Sequence, residues 1–180
     1  TRTWSDSFAE AAMQDMAEID ALALARRFKQ AFPSAYRELY NPKQALKHIQ
    51  LFDQLEDSGE LAIDLKHQNQ AGNNDLQLAL FHREAPLELS DMIPMLENLG
   101  FRVVMEHPYL IQPDGETQVW MQEFNLSFSL DVNVDVSAVQ SSFKEALGRV
   151  WKGDAENDSF NRLVVGACLD WRAVAMLRLY

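Results

Sequence analysis

The spacing of hydrophobic residues changes near residue 60, and this change constrains the fold more than any other feature. Before it, apolar residues recur with a helical period, whereas between Leu61 and Phe128 they alternate with polar residues. Alternation is typical of β-strands with one buried face. The pattern predicts four strands, at residues 61–66, 76–80, 101–105 and 117–128. The strands are expected to pair as two hairpins, because turn-forming residues fill the gaps at 70–74 and at Pro113-Asp114-Gly115.

Helical spacing predicts the remaining elements. Asn41-Pro42-Lys43-Gln44 combines an N-cap residue, a proline at the first helical position and a glutamine three residues after the cap, which favours a helix start. The last segment begins after Asp170 and has no C-cap glycine, so its helix is predicted to be still running at Tyr180. Helices are predicted at 8–28 (one helix, or two joined end to end), 42–56, 90–99, 137–151, around 160–167 and from 171 onward.

The order helix, strand, strand, helix, strand, strand is the βαββαβ unit with its first strand moved to the end. We therefore predict an α+β fold in which four strands form one antiparallel sheet, flanked by N-terminal and C-terminal helices. Helices 42–56 and 90–99 are expected to cover one sheet face, and the other face is expected to be wet or partly covered. The predicted division is a helical segment at 1–40, an α+β domain at 41–136 and a second helical segment at 137–180.

Composition disfavours several classes of protein. Hydrophobic residues make up 47% and charged residues 24% of the chain, so a globular fold is expected. The longest apolar runs, such as Leu163–Leu169, are far shorter than the ~20 residues that cross a bilayer, and we expect a soluble, cytoplasmic protein. A net charge of -11 disfavours binding to nucleic acid phosphates. The single cysteine, Cys168, lies in an apolar stretch that favours a buried thiol.

Three histidines, His67, His82 and His107, lie at or near the ends of predicted strands. Together with Asp64 or Glu106 they would supply the groups of a hydrolase or of a metal site. Their separations match no recognised zinc spacing, so separate surface histidines are the favoured interpretation and no metal is assigned. The sequence also lacks the G-x-G-x-x-G, G-x-x-x-x-G-K-[ST] and G-x-S-x-G patterns of phosphate-binding loops and nucleophile elbows.

A polar cluster near the C-terminus supplies candidate contacts to a ligand or to a neighbouring domain. Its members stand at helical spacing beside an apolar face and are Glu156, Asn157, Asp158, Asn161 and Arg162. In one interpretation, Arg162 binds the carboxylate of a ligand. In the other, Asn157 or Asp158 caps the helix while Arg162 contacts a neighbouring domain.

Several blocks of the sequence resemble the large NAD-specific glutamate dehydrogenases of bacteria, whose subunits are several times longer than this chain. The blocks keep their order and span nearly the whole chain: AFPSAYRE at 31–38, LSDMIPMLENLGFRV at 89–103, VWKGDAENDSFNRL at 150–163 and WRAVAMLR at 171–178. The last block is similar to the family's entry into its catalytic portion. The resemblance therefore implies that this chain comes from the region before the catalytic domain.

The resemblance also implies a parent enzyme that converts L-glutamate, NAD and water to 2-oxoglutarate, ammonium and NADH. The family's catalytic lysines and dinucleotide-binding fold lie C-terminal to this region, so we expect no catalytic or cofactor-binding residue here. The family carries ACT-like regulatory modules, with which the permuted βαββαβ order is compatible. The implied function is a non-catalytic regulatory or structural module, and the alternative is an allosteric domain that senses an amino acid. The expected partners are the remaining domains of the parent chain, further copies in a homo-oligomer and an amino-acid effector.

Overall fold

The computed structural model describes residues 2–55, 59–68, 76–128 and 135–180, and the predicted turn at 70–74 lies outside them. The strands are β1 (Ala62–His67), β2 (Leu76–Arg83), β3 (Phe101–Ile111) and β4 (Val119–Phe128). The helices are α1 (Trp4–Asp15), α2 (Glu18–Arg27), α3 (Ser34–Leu39), α4 (Pro42–Phe52), α5 (Leu89–Asn98), α6 (Val136–Lys152), α7 (Arg162–Gly166) and α8 (Trp171–Leu177). A 3-10 turn, Ser159–Asn161, leads into α7.

Local hydrogen bonds explain where the main helices begin and end. The predicted capping box is confirmed: the Asn41 side chain accepts a hydrogen bond from the Gln44 N–H, and the Gln44 side chain accepts one from the Asn41 N–H. At its other end, α6 stops at Gly153, which has a φ of +78°. Glycine adopts this left-handed conformation without steric cost, so the helix ends there.

The four strands form one antiparallel sheet in the order β1-β2-β4-β3. This is the strand order that results when the first strand of a βαββαβ unit moves to the end of the chain. The predicted α+β class and the predicted antiparallel sheet are therefore confirmed. The two central strands, β2 and β4, join the hairpins.

Helices cover both faces of the sheet, and each face has its own hydrophobic core. The N-terminal core lies between the sheet and α1–α4, and its large members include Phe8, Phe28, Phe32, Tyr36, Phe52, Phe81 and Met121. The C-terminal core lies between the opposite face and α5–α8, and its members include Leu78, Leu80, Leu96, Phe101, Phe124, Phe143 and Val174.

The prediction that helices 42–56 and 90–99 share one face, with the other face wet, is wrong. α4 contributes Ile49 and Phe52 to the N-terminal core, whereas α5 contributes Met92 and Leu96 to the C-terminal core. The helix beside α5 is α6, which follows β4. The arrangement is explained if the first strand of the βαββαβ unit and the helix that follows it both move to the end, so that this helix becomes α6 and lies beside α5. The opposite face of the sheet is then free for the N-terminal helices.

Of the two alternatives predicted for the segment 8–28, the structure contains two helices, because Met16 is extended and separates α1 from α2. Other differences are local and have simple causes. A β-bulge between Val103 and Met105 reverses the alternation of buried and exposed residues, so Met105 is exposed. In addition, β3 continues beyond the predicted strand to Ile111. The last helix ends at Leu177 and is not running at Tyr180. Cys168 is exposed with a φ of +53°, because it lies in the link between α7 and α8, so the predicted burial of its thiol is wrong.

Within the part of the chain that the structure describes, no helix combines the length and the apolar character needed to cross a bilayer.

Candidate functional site

A group of polar side chains is buried between α4 and the sheet, inside the otherwise apolar N-terminal core. We call it the buried polar cluster and define it as Tyr36, Tyr40, His48, Tyr109 and Glu123. They come from α3, the residue after α3, α4, β3 and β4, so the cluster exists only when the helices dock on the sheet. All five are less than a tenth exposed.

Stacked rings and hydrogen bonds hold the cluster together. The rings of Tyr36 and Tyr40 stack with centroids 4.6 Å apart, and the Tyr109 ring meets both edge-on. The Tyr40 hydroxyl donates a hydrogen bond to the Glu123 carboxylate, which satisfies a charge that is only 6% exposed. Burial raises the pKa of both Tyr36 and Tyr40, so both hydroxyls stay protonated and act as donors.

His48 is the member whose hydrogen bonding is incomplete. Its Nδ1 lies 2.7 Å from the Tyr36 hydroxyl, but its Nε2 is buried and has no hydrogen-bond partner among the described residues. The Tyr36 hydroxyl can donate to Nδ1 or accept from it, and in the first case Nε2 carries the ring proton. Nε2 lies 3.9 Å from the carboxylate of Asp64 on β1, and Lys66 Nζ lies 2.9 Å from the same carboxylate.

Asn125, on the same sheet face, also has an incompletely bonded side chain. Its Oδ1 is buried without a hydrogen-bond partner among the described residues. Both buried groups therefore have no hydrogen-bond partner among the described residues, and leaving such a group unpaired costs about 1–3 kcal/mol.

The predicted polar cluster near the C-terminus forms a second arrangement, which we call the Arg178 network. The Arg178 guanidinium donates to both carboxylate oxygens of Asp158, at 2.7 and 2.9 Å, and to Asn161 Oδ1 at 2.7 Å. The backbone oxygen of Glu156 accepts from Asn161 Nδ2 at 2.8 Å. Arg178 holds the pKa of Asp158 below its usual range. The network fastens the end of α8 to the turn that precedes α7.

The structure brings four of the five predicted residues into or beside this network and leaves one outside. Asp158 also caps the 3-10 turn by accepting from the Phe160 N–H, and Asn157 accepts from Asn98 Nδ2 at the end of α5. Arg162 is exposed and makes no side-chain hydrogen bond or ion pair with the described residues. Arg178 was missing from the sequence-based set, because it lies 20 residues after Asp158 and no local pattern connects them.

The three strand histidines do not form a site. His67 and His82 lie at opposite ends of the β1–β2 hairpin, since His67 pairs with Leu76 and the other end pairs Ala62 with Phe81. His107 lies on β3, which β4 separates from β2. No group of three or more histidine, cysteine, aspartate or glutamate side chains suited to a metal ion occurs in residues 2–55, 59–68, 76–128 and 135–180. The hydrolase hypothesis is therefore wrong.

The sheet order and the helices that surround it define the chain as an ACT-like α+β domain held between helical segments. Comparison with family models agrees: residues 60–139 match the ACT3 domain of glutamate dehydrogenase, residues 13–55 match its helical motif 2, and residues 155–180 match its helical motif 3. The chain belongs to the NAD-specific glutamate dehydrogenase family, and the predicted resemblance is confirmed.

Relatives named NAD-specific glutamate dehydrogenase align with almost the whole chain. The protein of Halomonas elongata is 41% identical over 179 residues, that of Pseudomonas aeruginosa is 34% identical over 179 residues, and that of Mycobacterium tuberculosis is 30% identical over 187 residues. Each alignment covers 99% of this chain and 11% of the relative. The chain thus spans about a ninth of the length of the curated relatives that it matches.

We predict that Arg178→Ala lowers the free energy of unfolding by about 1–3 kcal/mol, because it leaves Asp158 and Asn161 without their donor. Urea unfolding measures the change, and amide hydrogen exchange should show faster exchange in α8. Arg162→Ala is the matched control, since it removes an exposed arginine from the same region and should change stability by less than ~0.5 kcal/mol. Equal effects of the two substitutions would contradict the network.

A second prediction concerns pH. Burial, with a smaller contribution from the Lys66 cation, lowers the pKa of His48 from 6.5 to about 4, although Asp64 acts in the opposite direction. Between pH 4 and pH 6.5, the His48 ring is therefore neutral in the folded state, whereas it binds a proton in the unfolded chain. The resulting stability is complete above pH 6.5 and decreases as the pH falls toward 4, by up to about 3 kcal/mol.

Urea unfolding at several pH values in this window tests the effect. His48→Gln should show a shallower loss of stability with falling pH than the wild-type chain, because the other titrating groups are unchanged. His107→Gln, which replaces an exposed histidine, should keep the wild-type slope. If His48→Gln also keeps that slope, the ring does not titrate as its burial implies.

Proposed function

We propose that this chain is a non-catalytic regulatory and structural module of a glutamate dehydrogenase, in which the sheet joins two helical segments of the parent subunit. The observation that supports this function is that one sheet serves both cores. Ala79 and Phe81 of β2 pack with the N-terminal helices, and Leu78 and Leu80 pack with the C-terminal helices. Neither helical layer can shift on the sheet without disturbing a strand that the other layer also contacts.

The reaction itself is proposed for the parent protein and not for this chain. The parent would oxidise L-glutamate to 2-oxoglutarate and ammonium and would bind NAD, in line with the name of its relatives. Other domains of the subunit would carry that chemistry, and the parent would work in the cytoplasm as a homo-oligomer. Exposed apolar side chains on α2 and α8 support contact with such neighbours, because Ile19 is 82% and Met176 is 62% exposed.

We predict that the purified 180-residue chain forms no NADH when it is mixed with L-glutamate and NAD. The expected rate equals that of the heat-denatured chain, because the described residues assemble no nucleotide-binding loop or catalytic group. The measurement is the absorbance of NADH over time. A rate above the denatured control that also rises with the protein concentration would overturn the assignment of a non-catalytic module.

Amino-acid sensing is the second candidate function, and the unsatisfied groups of His48 and Asn125 favour it. Under this proposal, an amino acid binds the chain and biases two arrangements of the parent enzyme, for which a coupling of about 1–3 kcal/mol is sufficient. A thermal-shift screen of the proteinogenic amino acids tests it. A ligand at 100 times its dissociation constant should stabilise the folded chain by about 2.7 kcal/mol. If no amino acid raises the melting temperature, the chain is a structural module without this sensory role.

A further inference from the structure

The outward face of α2 carries larger apolar side chains than its inward face. Ile19 is 82% and Leu22 is 48% exposed, whereas the helix buries Ala21 completely and Leu24 only in part. Residues three positions apart lie side by side on a helix, so Ile19 and Leu22 form one apolar surface. Neighbouring apolar side chains that a helix holds toward solvent indicate a contact site.

Arg27 fixes which face of α2 points outward. Its guanidinium donates to both carboxylate oxygens of Asp53, at 2.9 and 2.8 Å, and also to the carboxylate of Glu116. Asp53 lies at the end of α4 and Glu116 lies before β4, so Arg27 ties α2 to two other elements. The helix therefore cannot roll to bury Ile19 without breaking these ion pairs.

The charges on the outward face make α2 complementary to a reversed copy of itself. Glu18 lies at the start of the helix and Arg26 near its end, and both are exposed and form no ion pair with the described residues. Positions 18, 22 and 26 are four residues apart and form one stripe, with Leu22 in the middle. In an antiparallel pair, Glu18 of each helix meets Arg26 of the other, and the two Leu22 side chains meet at the centre. A parallel pair would bring like charges together.

We propose that the outward face of α2 is a contact between two copies of this chain, in which the α2 helices pack antiparallel about a twofold axis at Leu22. The inference rests on the homo-oligomer of the proposed function, for which it names the surface and the partner. The ten residues of α2 span only about 15 Å, so the contact is smaller than the ~1,200 Å² of a stable interface. We therefore expect the chain by itself to associate weakly.

The net charge of the chain does not prevent this contact. Two copies with a net charge of -11 each repel one another at long range. At an ionic strength of about 0.15 M, however, charges further apart than ~8 Å are largely screened. Glu18 and Arg26 of opposite copies would lie within direct contact, so their attraction outweighs the screened repulsion.

Sedimentation equilibrium of the 180-residue chain tests the inference. The wild-type chain should form dimers as its concentration rises to roughly 1 mM. Arg26→Glu and Glu18→Arg should each weaken the dimer about tenfold, because each places like charges opposite one another twice per dimer. Both positions are exposed, so neither substitution should disturb the fold. Arg37→Glu makes the same change of charge on an exposed position of α3 and should leave the dimer unchanged.

A mixture of the two variants distinguishes this contact from any other. Arg26→Glu leaves acidic groups at both ends of the stripe, and Glu18→Arg leaves basic groups at both ends. Each variant therefore pairs poorly with itself but well with the other, and an equimolar mixture should regain dimers of wild-type affinity. A wild-type chain that stays monomeric, or a mixture that does not regain dimers, overturns the inference. Dimers that persist in both single variants would place the contact elsewhere, leaving the homo-oligomer and the NADH result of the proposed function unaffected.

Discussion

The burial of both faces of one four-stranded sheet is the constraint on which the rest of this structure depends. In β2, Leu78 and Leu80 are completely buried on one face and Phe81 on the other. Each fully buried apolar side chain of this size contributes roughly 1.5–3 kcal/mol. Docking of the helices before β1 and docking of the helices after β4 therefore both add to the stability of the sheet.

The two faces nevertheless differ in chemistry. The buried polar side chains on the C-terminal side, Gln122 and Asn161, are neutral amides, whereas the N-terminal core encloses the ionisable groups of His48 and Glu123. Glu123 is tolerated because the Tyr40 hydroxyl donates to it, but Nε2 of His48 has no hydrogen-bond partner among the described residues. Such a group lowers stability, and the apolar core on the opposite face offsets that cost. Perturbed ionisable groups also occur at functional sites, which is why this cluster supports the proposed sensory function.

Periodicity was sufficient to predict the element order from α4 onward, the hairpins and the antiparallel sheet, because each of these follows from local spacing. The short helix α3, Ser34–Leu39, was not predicted. The assignment of helices to faces failed, since the run Leu78-Ala79-Leu80-Phe81 was read as alternation although it is buried on both sides. The bulge at Val103/Met105 and the pairing of Arg178 with Asp158 were also not predicted. Both depend on contacts between residues far apart in the sequence, which no single window of residues contains.

A continuous series of contacts connects the two helical layers. The His48 ring packs on Phe81 of β2 with centroids 5.1 Å apart, and β2 leads directly into α5, whose last residue, Asn98, bonds to Asn157 beside the Arg178 network. Close-packed cores of this kind resist continuous deformation. Under the proposed function, a signal that reached one helical layer would therefore move the docked layers together, as one body against the rest of the subunit. The regulated contacts would then be those at the outer helices α2 and α8, where apolar side chains are exposed.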